Sequence, residues 1–265
     1  MEKRALVLGG GGVTGVAWTI GLLHGLAERG LDLTRPDLIV GTSAGAVVAA
    51  QLTSGRTLAE LYEHELTDTS GDRDAVVGVR VLAGFVLSAW WPGGRARLGR
   101  AALRSKTVPE SVRREAIARR VGRDEWPATR LRIPAVDAET GAVRIFENDS
   151  GVSLIDAVAA SCAVPLVWPP MTVAGRRYID GGVRSVANAD LAEGYDTTVI
   201  APVTASAHRA GDPRVQGKRL KARVISPTDA ALTAIGRNPL DPGRRRPAAE
   251  AGRAQASEVS EREAR

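Results

Sequence analysis

The chain has 265 residues, of which 44% are hydrophobic and 25% are charged, and its formal net charge is +6. These proportions are typical of a globular protein with one sizeable core, and they exclude a collagen-like or disordered chain. The single cysteine, Cys162, excludes an internal disulfide, and an apolar strand already begins by residue 4, so the sequence predicts a cytoplasmic protein without a secretory leader.

A glycine-rich loop follows the first predicted strand, residues 4–8. Residues 9–12 are all glycine, and a helical pattern then continues to Arg29. Four consecutive glycines cost backbone entropy, so such a loop indicates bare N–H groups that approach a ligand closely. We predict that the N–H groups of Gly10, Gly11 and Gly12 bind an oxyanion, and that Gly15 supports the loop.

The same loop has a second interpretation. Gly10, Gly12 and Gly15 spell G-x-G-x-x-G, which is typical of dinucleotide-binding folds. Those folds place an acidic residue at the end of the second strand, whereas Asp37 stands at the start of that strand here. No Gly-Lys-Ser/Thr closes the loop as in a P-loop. The oxyanion hole is therefore favoured, with a nucleotide-binding module or oxidoreductase as the alternative.

The second predicted strand leads into the most informative motif of the chain. The sequence Gly41-Thr42-Ser43-Ala44-Gly45 lies between an apolar run at 38–40 and a helical run at 46–52. G-x-S-x-G between a strand and a helix is the signature of a nucleophile elbow, in which Gly41 and Gly45 allow a tight turn that exposes the serine. Ser43 could also simply cap the helix. The context favours a nucleophile.

The middle of the chain is predicted to be a helical insertion, residues 57–128. Residues 75–91 are strongly apolar but shorter than a membrane span. They are interpreted as a buried helix, or as a lid whose Phe85, Trp90 and Trp91 line an acyl pocket.

Many arginines follow between 95 and 123. A solvated face explains them, and contact with an anionic membrane surface is the functional alternative. Nucleic-acid binding is not expected, because no aromatic residues are interleaved with the arginines.

The candidate base lies at the end of a predicted hairpin, with strands at 171–173 and 177–179. Asp180 follows the second strand and precedes Gly181 and Gly182, which leave its carboxylate room to turn toward a neighbouring site. An ordinary Asp-Gly turn is the simpler interpretation of this motif alone. His208 is an alternative base, while His24 and His64 are interpreted as ordinary helix residues.

The remaining elements complete an α/β pattern. A strand is predicted at 130–136, and Ser153 with Asp156 forms a capping box before a helix that includes Cys162, interpreted as a small core residue. Strands at 197–201 and 222–225 are joined by a polar linker. A helix is predicted at 229–235, and residues 238–242, with two prolines, are predicted to interrupt regular secondary structure. The tail from Arg244 to Arg265 is predicted to be a surface helix that frays at its end.

Taken together, the three blocks resemble the patatin-like phospholipase family over about residues 4–202. The blocks are the glycine loop 10–15, the elbow 41–45 and the Asp180-Gly181-Gly182 element, and the Ala-Ser-x-x-x-Pro pattern at 160–165 agrees. The resemblance implies a three-layer α/β/α sandwich and a serine–aspartate dyad, Ser43 and Asp180, that acts on acyl esters of lipids without a histidine. Two departures concern Thr14, where the family usually carries Arg or Lys, and Asn188, which comes late and lacks the family's nearby proline.

The sequence therefore predicts an acyl hydrolase domain over residues 1–240 and a helical tail over 241–265. We expect a mainly parallel central sheet, no cofactor and no metal ion, because nothing resembles a ligand cluster. The expected partners are a lipid or acyl-ester substrate and, at the periphery, an anionic membrane. A catalytically silent, lipid-binding relative is a further alternative. Oligomeric state is not predicted.

Overall fold

The computed structural model describes residues 3–67, 93–202 and 212–263. The strands are β1 (Arg4–Leu8), β2 (Leu38–Gly41), β3 (Arg130–Asp137), β4 (Val143–Glu147), β5 (Met171–Val173), β6 (Arg176–Asp180), β7 (Asp196–Ile200) and β8 (Arg223–Ile225). The helices are α1 (Gly12–Glu28), α2 (Ala44–Leu52), α3 (Leu58–Thr67), α4 (Gly94–Leu103), α5 (Glu110–Val121), α6 (Leu154–Ser161), α7 (Pro213–Leu220), α8 (Asp229–Ile235) and α9 (Arg245–Glu263).

The described strands form one mixed sheet in the order β5-β6-β3-β2-β1-β7-β8, with β4 paired to β3. The pairs β1–β2, β1–β7, β2–β3 and β7–β8 are parallel. The pairs that involve β4, β5 and β6 are antiparallel. The parallel strands β1 and β2 are each followed by a helix, so their carboxyl ends place the glycine loop and the Ser43 turn side by side.

The register of β3 explains how distant segments meet. β2 pairs residues 38–40 with 130–132, and β6 pairs residues 178–180 with 135–137. β4 pairs with residues 132–136 of β3 and takes the opposite edge. β2 and β6 therefore lie along the same edge of β3, end to end, and this arrangement brings the turn after β2 toward the end of β6.

Both faces of the sheet are covered by other segments of the chain, and residues of the strands form part of the hydrophobic core on each face. Leu6 and Leu8 of β1 pack into a large cluster with residues of α1, α2, α6 and α9. The alternate residues Ala5 and Val7 pack on the other face against the segment around Ala189 and against Leu220. This alternation is what a strand buried on both faces requires. The predicted α/β/α sandwich with a mainly parallel sheet is confirmed.

Two sequence-based interpretations of the C-terminal part are wrong. The predicted polar linker contains α7, which Asp212 caps by accepting a hydrogen bond from Arg214 N at 2.7 Å. The tail is not a surface helix throughout, because Ala248, Ala249 and Ala256 of α9 are fully buried against α1. The dipeptide Asp212-Pro213 begins α7, and Asp241-Pro242 begins the short turn that leads into α9. Proline at the first position of a helix is a local signal that favours a helix start.

Several expectations concern residues outside the described part of the chain. The apolar segment 75–91, with Phe85, Trp90 and Trp91, lies there, and so does His208. Within the described ranges, no helix combines the length and apolar character needed to cross a membrane.

Candidate active site

Ser43 lies at the turn between β2 and α2, in a backbone conformation that side chains rarely adopt. Its φ is 51° and its ψ is −114°, and such strain persists only where the surroundings enforce it. The turn is also tightly packed. A Cβ on Gly45 would lie 1.9 Å from the Leu8 carbonyl oxygen, and one on Gly41 would lie 2.7 Å from the Gly45 carbonyl oxygen. Steric exclusion therefore explains both glycines of the predicted elbow.

The backbone of Ser43 is held on both sides by residues at the C-terminal end of α6. Ser161 Oγ accepts a hydrogen bond from Ser43 N at 3.0 Å and donates to Pro134 O at 2.7 Å. Cys162 Sγ donates to Ser43 O at 3.2 Å. Sequence reasoning assigned neither role. Burial raises the pKa of the Cys162 thiol to about 12, so this cysteine is an uncharged donor and not a nucleophile.

Asp180 lies at the end of β6 and is only 2% exposed. Its Oδ1 accepts a hydrogen bond from Gly182 N at 2.7 Å. Its Oδ2 is buried without a hydrogen-bond partner. The Ser43 hydroxyl is near enough to lower the pKa of this carboxyl, yet it does not complete a bond to Oδ2. The two groups are therefore neighbours whose hydrogen bond is not formed in this conformation.

The Asp180 carboxyl is poised to titrate near neutral pH. Burial raises the pKa of Asp180 to about 6, while the Ser43 hydroxyl, the Gly182 N–H and the Arg113 charge each limit the rise. Desolvation dominates because a carboxylate loses its hydration when it is buried. A carboxylate with a raised pKa is a better proton acceptor than an exposed aspartate.

The glycine loop offers fewer free donors than the sequence predicts. Gly10 N donates to Val186 O at 2.9 Å, and Thr14 N donates to Pro239 O at 3.1 Å. The predicted role of Gly10 as an oxyanion donor is corrected, because its N–H is already engaged within the protein. The N–H groups of Gly11 and Gly12 have no acceptor among the described residues. They lie at the N-terminus of α1, where the helix dipole favours negative charge.

Asn188 connects the elbow to the turn that follows Asp180. It is fully buried, and its Nδ2 donates to Thr42 Oγ1 at 3.0 Å, to Gly181 O at 3.3 Å and to Ser185 O at 2.7 Å. The sequence marked this residue only as a departure from a family pattern. Its three bonds link the two turns to each other, so Asn188 fixes their relative position.

A pocket of about 470 Å³ opens beside Ser43. Its lining is mainly apolar, with Val13, Val16, Val47, Val108, Val112, Val164, Trp168 and Leu240 among its residues. Asp180 is not among the lining residues. Glu115 and three arginines, Arg113, Arg119 and Arg120, also line the pocket. A concave, mainly apolar pocket with a few polar groups is the usual form of a ligand site.

Arg113 of α5 is a charged residue of the pocket that acts on Asp180. Its guanidinium carbon lies 4.2 Å from the centroid of the Trp168 ring, and its charge lowers the pKa of Asp180. Stacking on an aromatic ring holds a guanidinium in place. Sequence reasoning counted Arg113 only as one member of a basic stretch, because nothing local distinguishes it from its neighbours.

The described histidines belong to other parts of the molecule. His24 stacks on Tyr62 with a ring-centroid distance of 4.8 Å, and His64 lies within α3. Neither lines the pocket. In the part of the chain that the structure covers, no group of three or more His, Cys, Asp or Glu residues could hold a metal ion.

Comparisons with known proteins agree with this architecture. A family model described as patatin-like phospholipase matches residues 6–193. The structure of VipD from Legionella pneumophila is similar with a TM-score of 0.52 and 15% identity, over 99% of this chain and 67% of that one. The type III effector protein ExoU is matched with a TM-score of 0.44 and 16% identity, over 98% of this chain and 53% of that one. The likeness to VipD is one of fold.

Proposed function

The chain belongs to the patatin-like phospholipase family, and from this premise we propose that it is a serine acyl hydrolase that cleaves acyl esters of lipids. Ser43 is the proposed nucleophile and Asp180 the proposed base. The observation that carries the proposal is the buried Asp180 carboxyl, whose Oδ2 has no hydrogen-bond partner and whose pKa the nearby Ser43 hydroxyl lowers. An unpartnered buried carboxylate oxygen is costly, and a proton arriving from Ser43 satisfies it.

The proposed reaction has two halves. In the first, Ser43 Oγ attacks the ester carbonyl carbon while its proton moves to Asp180, and the carbonyl oxygen becomes an oxyanion. The C–O bond to the alcohol then breaks, and the alcohol leaves with the proton from Asp180. In the second half, water attacks the acyl-enzyme and gives its proton to Asp180. The acid leaves, and Ser43 recovers its proton.

The N–H groups of Gly11 and Gly12 are the proposed donors to the oxyanion. Loss of one such donor typically costs about 3 kcal/mol of barrier. The apolar pocket holds the acyl chain, while Arg113 attracts an anionic part of the substrate. This same loop argues against the nucleotide-binding alternative. Because Gly10 N and Thr14 N are engaged inside the protein, too few donors remain to cradle a diphosphate.

Two substitutions test the proposal. We expect Ser43→Ala and Asp180→Asn each to lower the hydrolysis of p-nitrophenyl esters and phospholipids about a thousandfold or more, because each removes a group that acts in the transition state. Asp212→Asn is a matched control, since Asp212 Oδ1 accepts a bond from the N–H two residues on, as Asp180 does. Full turnover by Ser43→Ala would contradict the proposal. A folded wild type without hydrolysis would indicate a silent lipid-binding relative.

We further propose that the protein contacts anionic membranes at its periphery, through exposed arginines such as Arg97 and Arg100 of α4. Each basic residue near an anionic surface contributes about 1 kcal/mol. The fraction of protein that sediments with anionic vesicles is expected to fall steeply with added salt. No protein is expected to sediment with phosphatidylcholine vesicles. Reversal of both charges to Glu should weaken binding about tenfold or more. Arg35→Glu is the control, because Arg35 precedes β2 and so lies at the end of that strand that is opposite to Ser43. Salt-independent binding would refute this contact.

A further inference from the structure

Residues 238–241 join α8 to α9 and lie beyond the segment 6–193 that the family model matches. We name them the strap. The structure assigns the strap to the active site. We infer that the Pro239 carbonyl positions the glycine loop and that Leu240 forms a wall of the acyl pocket, which sets the chain length of the substrate. This inference rests on the proposed function and deepens it.

The first contact is made by the Pro239 carbonyl. Its oxygen accepts hydrogen bonds from Thr14 N at 3.1 Å and from Thr14 Oγ1 at 3.3 Å. It also lies against Gly12, where a Cβ would approach it to 2.4 Å. Gly12 has a φ of +63°, a conformation that favours glycine. The loop that carries the proposed oxyanion donors is therefore in close contact with the strap, and hydrogen-bonded to it, immediately after Gly11.

The second contact is made by Leu240. Its side chain is 6% exposed and lines the pocket together with Ser43, Gly12 and Val16. A Cβ on Gly12 would lie 2.9 Å from Leu240 Cδ2, so this side chain sits directly beside the loop. An acyl chain bound in the pocket has Leu240 on one wall and the glycine loop at its reacting end.

Hydrogen bonds within the strap fix its turn, and the chain is anchored shortly after it, so the strap can act as a fixed reference for the loop. Asn238 Oδ1 accepts from Leu240 N at 3.2 Å, and Asn238 O accepts from Asp241 N at 3.1 Å. Farther on, Arg245 Nε donates to Glu65 Oε2 at 3.0 Å, and both side chains are almost completely buried. A buried, hydrogen-bonded ion pair is held in one geometry, because breaking it leaves an uncompensated charge.

This arrangement also accounts for Thr14. The family that the chain resembles usually carries Arg or Lys at this position, and a long cation projects away from its own backbone. Threonine is short enough for its hydroxyl to reach the same carbonyl that its N–H already bonds. Thr14 is thus a positioning residue that acts through the loop, and it does not touch the reacting atoms.

Thr14→Val tests the positioning role, because it removes the hydroxyl and keeps both the N–H and the shape. We expect kcat to fall about tenfold while KM changes less than twofold, since a displaced loop loses transition-state stabilisation and not ground-state binding. Thr14→Ser should restore kcat to within about threefold. Thr233→Val is the matched control, as Thr233 Oγ1 also donates to a backbone carbonyl, Asp229 O at 2.9 Å, on the exposed face of α8. An unchanged kcat in Thr14→Val would overturn this role.

Leu240 is tested by the chain-length profile of p-nitrophenyl esters. We expect Leu240→Ala to shift the preferred ester toward longer acyl chains and Leu240→Phe to shift it toward shorter ones, because the two changes enlarge and reduce the space that the wall leaves to the acyl chain. A profile that is the same in wild type and both variants would overturn the assignment of Leu240. Thermal unfolding of each variant checks that the fold is kept.

Hydrogen exchange separates failure of the strap from failure of the proposed function. In peptides that cover residues 9–16, Thr14→Val should exchange severalfold faster than wild type, because loss of the hydroxyl bond to Pro239 O leaves the loop held by the N–H at position 14 alone, so the loop opens more often. This readout does not require turnover. A wild type that hydrolyses nothing refutes the proposed function while the exchange still decides whether the strap holds the loop. Equal exchange in both proteins would contradict the positioning role even in an active enzyme.

Discussion

The pKa of Asp180 is set by four influences that act in opposite directions. Burial raises it, and the Ser43 hydroxyl, the Gly182 N–H and the positive charge of Arg113 lower it, with a net value of about 6. The proposed base must be deprotonated to accept the serine proton. The fraction in that form increases as the pH rises through about 6 and is nearly complete above it.

A pH–rate profile therefore reports on this carboxyl. We expect kcat/KM to rise about tenfold per unit of pH below the pKa and to level off above pH 7. Arg113→Gln removes a positive charge that stabilises the carboxylate, so the midpoint should move to higher pH. Arg113→Lys keeps the charge and should keep the midpoint near its wild-type position. A profile that is flat from pH 5 to pH 8 would show that Asp180 is not the group that accepts the proton.

The positioning of single residues was only partly visible in the sequence. Ser43 and Asp180 were named because each lies in a short motif with glycines at fixed offsets. The hydrogen bonds of Ser161, Cys162 and Asn188 are not visible in the sequence, since each of these side chains bonds to residues that are far away along the chain. Contacts of this kind depend on where strands meet, and no local pattern encodes them.

At the scale of elements, helices α1 and α9 approach each other unusually closely. A Cβ on Gly21 would lie 2.0 Å from Ala249 O, and a Cβ on Gly252 would lie 2.2 Å from Trp18 O. Glycines on both helices therefore let the two backbones come together. Trp18 Nε1 donates to Gln255 Oε1 at 3.2 Å across the same contact. This packing fixes α1, whose N-terminus carries the glycine loop.

Gly252→Ala tests whether this contact stabilises the fold. Alanine is intrinsically better than glycine in a helix by about 1 kcal/mol. We nevertheless expect the free energy of unfolding to fall by about 2 kcal/mol, because the added methyl overpacks the backbone of α1. Urea denaturation measures it. Ala254→Ser adds one atom on the exposed side of α9 and should have little effect. An increase in stability for Gly252→Ala would mean that the two helices can separate freely.

The elements themselves were predicted best where the signal is local. The strand–loop–helix at residues 4–28, the elbow and the hairpin at 171–180 follow from apolar runs bounded by glycine. Ser153 caps α6 by accepting from Asp156 N, as its sequence pattern predicts. The burial of α9 is not predicted from the sequence, because its alanines and its one glycine, Gly252, show little amphipathic contrast. They pack closely only because α1 presents glycines opposite them.

For the molecule as a whole, the sheet brings together turns that are far apart in sequence. The α/β character is visible in the sequence of strands and helices, and the three-layer sandwich follows from the family resemblance. The shared edge of β3 that aligns β2 with β6 could not be predicted, because pairing register is a non-local property. The same holds for the strap, whose approach to Gly12 depends on the packing of the whole C-terminal part. The division into a domain at 1–240 and a tail at 241–265 stays a prediction.

The central claim is that Ser43 is an activated nucleophile, and covalent labelling with a fluorophosphonate tests it most directly. In that reaction Ser43 Oγ forms a bond to phosphorus, fluoride leaves, and Asp180 accepts the proton. Peptide mass spectrometry of wild type at pH 8 should find one phosphonyl group, on Ser43, and the rate of labelling should fall strongly in Asp180→Asn. Ester hydrolysis by a protein whose Ser43 stays unmodified, or labelling at another residue that tracks the loss of activity, would contradict the account.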